Sequence, residues 1–259
     1  MTRKIRRKLS VIMSSVLLLP FAFGYGKSIP KLMKRKASVS TSARKKVRSH
    51  GSTTVALTDK EEISVYETLG LDRLGLSKEA FDYAMKGHDY LAANGKLQNE
   101  DILSIVDFSR PSSEKRLFIV DLKNKKLLFH TYVSHGRGSG TDMATEFSNV
   151  PESNKSSLGF YVTGDTYMGK HGLSMRLLGQ DKGFNDNAHD RSIVMHSASY
   201  VSEEAIKAMG FCGRSEGCPA VPEELSKPII ETVKNGTCLF LYSPDTQYAA
   251  NSTIINAVA

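Results

Sequence analysis

Between Met1 and His50 the chain carries 14 Lys and Arg and no Asp or Glu, and that asymmetry decides where a fold can form. A segment so one-sided in charge cannot bury enough apolar surface to offset the entropy of ordering it. The other 209 residues hold 21 basic and 27 acidic side chains, so the formal charge of +8 comes from the N-terminal fifth and the foldable part stands at −6. A nucleic-acid-binding domain needs its positive charge on the folded face that meets phosphate. That partner class is set aside.

The N-terminus reads as targeting. Arg3, Lys4, Arg6, Arg7 and Lys8 precede an apolar run from Leu9 to Phe23, with Gly24 and Gly26 following. This is the pattern of a secretory signal, placed at residues 1–26. The run falls short of the roughly 20 residues a spanning helix needs, and Pro20 interrupts it. Cleavage is therefore expected, with membrane attachment only if the segment stays uncleaved. Residues 27–56, rich in Lys, Arg, Ser and Thr, read as a flexible basic linker. Such a linker can tether to an anionic envelope polymer or serve as a solvated spacer.

From Leu57 the pattern becomes helical, and residues 57–110 are read as a helical N-terminal segment. Val65, Tyr66 and Leu69 recur at helical spacing. Ser77 suits the N-cap of a helix carrying Phe81, Ala84, Met85, His88 and Leu91, and Gly95 ends it. A third helix is expected over Asn99–Val106, with Ile102, Ile105 and Val106 as its apolar side. His88 on such a face reads as an ordinary packed residue.

At Arg116 the period switches to that of strands, and a domain is expected over residues 115–243. Leu117–Asp121 and Lys126–Ser134 flank a Lys123–Asn124–Lys125 turn as a hairpin. Strands are also expected at Phe160–Thr163, Ser192–Met195 and Thr237–Tyr242, with a loop-rich stretch from Gly164 to Asp190. Pro222–Asn235 reads as a helix with Pro at its first position and Gly236 beyond its end. The run His135–Gly140 has no helix behind it, so it reads as a turn and not a phosphate loop. Residues 244–259 form a weakly patterned tail.

Three cysteines in an exported chain leave at least one thiol unpaired. Cys218 is the reactive candidate, because Gly217 keeps its approach clear and consecutive N–H groups of a tight loop can face an oxyanion. His196, at the end of a strand 22 residues upstream, is the candidate base. Arg191 and Arg214 can add positive potential that favours thiolate. Cys212 and Cys238 then remain, open either to a disulfide or to two buried free thiols. A zinc site of His189, His196, Cys212 and Cys218 lacks any Cys-x-x-Cys or His-x-x-x-His spacing. Arg137 and His135 in the Gly-rich turn are candidate cleft residues, and Asp186, Asp190 and Tyr200 candidate neighbours of the base.

The run Ile193-Val-Met-His196-Ser197-Ala, followed by Ser215-Glu-Gly217-Cys218, resembles the active-site signature of the YkuD-like murein L,D-transpeptidase catalytic domain, in a divergent form. Here the His of the family's Ser/Thr-His-Gly-Cys box is Glu216, and Pro219-Ala220 replace the polar residue after the Cys. The resemblance implies a mostly β fold, a sandwich or open barrel of mixed sheets with one or two helices. It also implies a cysteine-dependent acyltransferase acting on peptidoglycan stem peptides in the periplasm or cell envelope of a bacterium, without cofactor or metal. Cys218 would attack the stem, His196 would take its proton, and the Ser197 carbonyl would orient His196. Gly217 and Cys218 N–H groups would hold the oxyanion, while Arg214, Ser215 and Tyr200 would meet substrate. An L,D-carboxypeptidase or endopeptidase on the same scaffold and a non-catalytic wall-binding module remain as alternatives.

Overall fold

Two strands buried at every position organise the molecule. The computed structural model describes residues 64–257. The expected signal at 1–26, the linker at 27–56 and the start of the helical segment lie outside the described residues. β1 (Ile102–Asp107) and β8 (Cys238–Tyr242) are buried throughout and run parallel, with Leu103 opposite Cys238 and Val106 opposite Leu241. Continuous apolar runs of this kind suit a strand covered on both faces.

β1 corrects the helix expected over Asn99–Val106. Both readings accommodate a short apolar run, since burial on all sides erases the period that would separate them. The consequence reaches the domain boundary. α1 (Val65–Thr68), held by a Ser64/Glu67 capping box, and α2 (Lys78–Ala93), capped by Ser77, share one core with the sheet. The segment 57–110 is therefore not a separate helical unit within its described part.

β2 (Leu117–Asp121) pairs antiparallel with β1 and with β3 (Lys126–Thr131), the hairpin read from the sequence. On the other side of β8 lie β4 (Gly159–Gly169), β5 (Gly172–Gly179), β6 (Val194–Ser197) and β7 (Ala220–Val221), giving the order β3-β2-β1-β8-β4-β5-β6-β7. The two outer strands approach each other. Just beyond β3, the Ser134 N–H donates to the Ala220 carbonyl at 2.9 Å, and the Ala220 N–H donates to Ser134 Oγ at 3.2 Å. The mixed eight-stranded sheet is thereby nearly closed, which leaves little exposed edge.

The long β4–β5 hairpin replaces the loop expected over the first part of Gly164–Asp190. Of the glycines at 164, 169, 172 and 179, only Gly172 has positive φ, 76°, and it makes the turn. A register shift between Thr163 and Thr166 carries β4 past Gly164. Three further helices complete the fold. α3 (Glu203–Met209) was not anticipated. α4 (Glu223–Val233) takes Pro222 as its N-cap, so the helix begins one residue later than expected. α5 (Thr246–Asn251) belongs to the tail, which docks through buried Asp181. That carboxylate accepts from the Phe160 N–H at 2.7 Å, Ser252 Oγ at 2.6 Å and the Tyr248 hydroxyl at 3.2 Å.

All three cysteines are free, so the Cys212–Cys238 disulfide is not formed. Cys238 is buried in the main core through β8, whereas Cys212 sits in a satellite cluster with Ala198, Val201 and Ala220. Each acts as a small apolar side chain.

Gly87 shows how closely α2 meets the sheet. A Cβ there would stand 2.0 Å from Phe160 Cζ, and Phe160 is itself stacked on Phe240 at 4.2 Å. Replacing a helical Gly by Ala normally gains about 1 kcal/mol. Here overpacking, at about 1–3 kcal/mol, wins because the ring has nowhere to go. Gly87→Ala is expected to lower stability by about 1–2 kcal/mol in urea unfolding; an increase would show that Phe160 yields.

Candidate active site

β6 and β7 run parallel with His196 opposite Ala220, and this register carries Cys218 to the side of β6. The Val194 N–H points at Cys218 Sγ at 3.5 Å, and the thiol lies 3.7 Å from the Ser192 carbonyl it donates to. His196 and Cys218 line one cleft of about 440 Å³, together with Arg191, Tyr200, Arg214 and Glu216. Side chains 22 residues apart in sequence thus open into a common space.

The loop bearing the thiol is fixed mostly by backbone. The Ser215 N–H donates to the His135 carbonyl at 3.0 Å, and the Arg137 N–H returns to the Ser215 carbonyl at 2.8 Å. The Gly-rich turn therefore acts as a short strand laid along the nucleophile loop. From below, Ser156 Oγ donates to the Gly217 carbonyl at 3.0 Å. Gly217 takes φ 128°, and a Cβ would meet the Lys155 carbonyl oxygen at 2.8 Å. Both facts demand glycine there.

One expectation changes at this point. The Gly217 N–H donates to Ser215 Oγ at 3.1 Å, so it is turned into the loop and does not face an oxyanion. Ser215 is mostly buried, and its hydroxyl also donates to the Cys218 carbonyl at 2.7 Å; it braces the loop while still lining the cleft. Tyr200 lines the cleft and accepts the Gly213 N–H on its carbonyl at 2.9 Å. Arg214 is exposed at the rim with its guanidinium on the Gly140 carbonyl at 2.9 Å.

His196 is buried, and its Nδ1 lies 2.7 Å from the Ser197 carbonyl. A carbonyl only accepts, so Nδ1 carries the hydrogen and Nε2 keeps the lone pair. Burial holds the His196 pKa below the usual imidazole range, outweighing the Ser197 carbonyl, and the nearby His171 and Lys170 push the same way. Burial raises the Cys218 pKa, partly opposed by the Val194 N–H and Arg191, while Glu216 raises it further. The resting cleft holds a neutral thiol and a neutral imidazole. Arg191 is a fixed charge in this setting, held by the Ser148 and Lys155 carbonyls at 2.6 Å each.

Glu216 pairs with Arg137 at 3.4 Å across the exposed rim. Since its charge opposes thiolate, Glu216→Gln is expected to speed iodoacetamide alkylation of Cys218 at neutral pH. Unchanged alkylation would show that solvent screens the carboxylate completely.

The β4–β5 hairpin supplies what the sequence reading missed. Tyr167, Lys170 and His171 from its tip line the cleft, in a stretch read as loop. Glycine-rich spacing hid the hairpin, and nothing local marks His171. Asp186 instead accepts from Asn149 Nδ2 at 2.7 Å, and Asp190 pairs with His189 at 3.6 Å. His135 is buried beneath the turn, with Nδ1 taking a hydrogen bond from Arg116 at 2.7 Å. Among the described residues no three His, Cys, Asp or Glu side chains gather as a metal would require.

A family model described as the L,D-transpeptidase catalytic domain matches residues 72–242. No curated protein matches the chain. Among solved structures, an L,D-transpeptidase from Mycobacterium smegmatis is similar over 55% of this chain and 59% of its own, at 12% identity and a TM-score of 0.34. An L,D-transpeptidase from Mycobacterium tuberculosis H37Rv covers 55% and 58%, at 13% identity and 0.35. The helical cell shape determining protein Pgp2 from Campylobacter jejuni covers 63% and 57%, at 13% identity and 0.38. The chain thus spans under two thirds of each of these proteins.

Proposed function

The chain belongs to the L,D-transpeptidase catalytic-domain family, and from that premise we propose that it is an exported peptidoglycan L,D-transpeptidase forming 3-3 cross-links through an acyl-enzyme on Cys218. The observation that carries this reading is the opening of Cys218 and His196 into one cleft, with the His196 tautomer set by the Ser197 carbonyl. The signal at 1–26 would deliver the domain to the envelope, and the basic linker would hold it near anionic wall polymer.

The geometry supports the following sequence of steps. A stem peptide enters the cleft with its scissile carbonyl over Cys218. His196 Nε2 takes the thiol proton as sulfur attacks, so charge separates only when substrate is in place. The Cys218 N–H, which makes no hydrogen bond to the described residues, is the donor for the oxyanion. The protonated imidazole then hands its proton to the departing D-Ala amine, leaving a thioester. An amine of a second stem attacks that thioester and loses its proton to His196, and the thiol is restored. Arg191 lies near enough to the sulfur to favour its charged form. Arg214, exposed at the rim, would meet a substrate carboxylate.

Incubation with tetrapeptide stems separates outcomes that share one acyl-enzyme. Cross-linked dimers are expected in muropeptide analysis. Tripeptides alone would make the chain a carboxypeptidase, and unchanged stems would leave a wall-binding module.

A further inference from the structure

The tip of the β4–β5 hairpin reaches the core only through half-buried Leu173, yet it touches the base directly. His171 is exposed at the turn, and its ring stacks on that of buried His196 with centroids 4.5 Å apart and planes 21° from parallel. The Ser197 hydroxyl donates to the His171 carbonyl at 2.8 Å, and the Ser197 carbonyl faces His196 Nδ1 at 2.7 Å. His171, Ser197 and His196 thereby close a ring of three contacts. Met168, nearby on the same tip, is 77% exposed, and its partner Leu173 is only half-buried, so apolar burial alone does not place the His171 ring. The nucleophile loop brings no imidazole of its own, since position 216 is Glu.

The geometry points to His171 as a positioning residue for His196, one that holds the imidazole in its Nδ1–H orientation and shields its outer face from water. The inference rests on His196 being the base for Cys218. An imidazole turns freely about a broad terminal torsion, and a hydrogen bond at one nitrogen leaves the ring able to tilt. The stack removes that freedom. After burial, the neighbouring His171 also helps to hold the His196 pKa down. The other charged and titratable groups that line the cleft with His196 are Lys170 and Tyr167 from the hairpin, Arg137 from the Gly-rich turn, Arg214, Glu216 and Cys218 from the nucleophile loop, and Arg191 and Tyr200 before and after β6.

The test compares His171→Ala with His171→Phe in the full chain. His171 is exposed in a turn, so thermal unfolding of both variants should match that of wild type. Acylation of Cys218 by a carbapenem is expected to slow about ten- to a hundredfold in His171→Ala, and to return to within a few fold in His171→Phe, which keeps the flat ring. The acid limb of the His171→Phe rate profile should move to higher pH, because the neighbouring charge is gone. Nitrogen-15 NMR of His196 should show one tautomer in wild type and His171→Phe and a mixture in His171→Ala. A His171→Ala chain with wild-type rate, pH profile and tautomer would overturn the inference. The NMR reading needs no turnover: if wild type never acylates but the tautomer still follows residue 171, the positioning role stands and the enzymatic reading falls.

Discussion

Incubation with a carbapenem adds one drug mass to the wild-type chain and none to Cys218→Ala. The expectation follows from the cleft, where Cys218 is the one thiol that opens toward solvent, while Cys212 and Cys238 are buried in separate clusters. His196→Ala should still be acylated, but about 10²–10⁴-fold more slowly at neutral pH, the usual contribution of a positioned base. The pH dependence gives the mechanism its signature. Because burial lowers the His196 pKa, wild-type acylation should persist below the pH at which a free imidazole gains its proton. Because burial raises the Cys218 pKa, the His196→Ala rate should climb with pH until the thiol ionises on its own, at a pH above that of an ordinary cysteine. A mass gain in Cys218→Ala, or none in wild type, would remove the acyl-enzyme from the account.

The parts of this site that could be read from sequence are those encoded locally. Ser77 and Gly95 bound α2, Lys123–Lys125 turn the β2–β3 hairpin, and Gly217 precedes Cys218 because a side chain there would strike the Lys155 carbonyl. Other features needed the third dimension. Ile102–Asp107 lies at the sheet centre, where burial on both faces erases periodicity. The tail looked patternless because its anchors, Tyr248 and Ser252, bond to Asp181, about seventy positions away. His171 is 25 residues from His196, and only the β5–β6 pairing of Ser174 with His196 brings the hairpin turn to the base. Gly217 was expected as an oxyanion donor from the family resemblance and its place beside Cys218. Its N–H is turned onto Ser215 Oγ instead, since a loop this tight must satisfy its own polar groups before it can present one thiol.

The same need makes the loop sensitive to acid. The Ser215 backbone hangs on the His135 carbonyl, and the His135 ring is wholly buried, accepting from Arg116 at Nδ1 and lying edge-on to Phe108. Arg116 is buried too, donating to the Val133 and Arg110 carbonyls, and burial lowers its pKa only to about 10. It stays charged at every pH that matters here. Burial, reinforced by that guanidinium, lowers the His135 pKa to about 4. In the unfolded chain the same imidazole takes its proton near pH 6.5. Between these values the unfolded state binds more protons, so stability falls as pH drops from about 6.5 to about 4. The loss from this one ring should reach about 2–3 kcal/mol at pH 4.5. His196 acts in the same direction through its own burial, and Asp181, whose pKa burial raises, acts in the opposite one. His135→Gln isolates the contribution: a carboxamide can accept from Arg116 and donate toward the Gly140 carbonyl, but it does not titrate. Urea unfolding at pH 7 and pH 4.5 should show a loss in wild type that is smaller by about 2–3 kcal/mol in His135→Gln. If both chains lose equally, His135 is not the acid-sensitive link, and the nucleophile loop owes its order to the Ser156 contact beneath it.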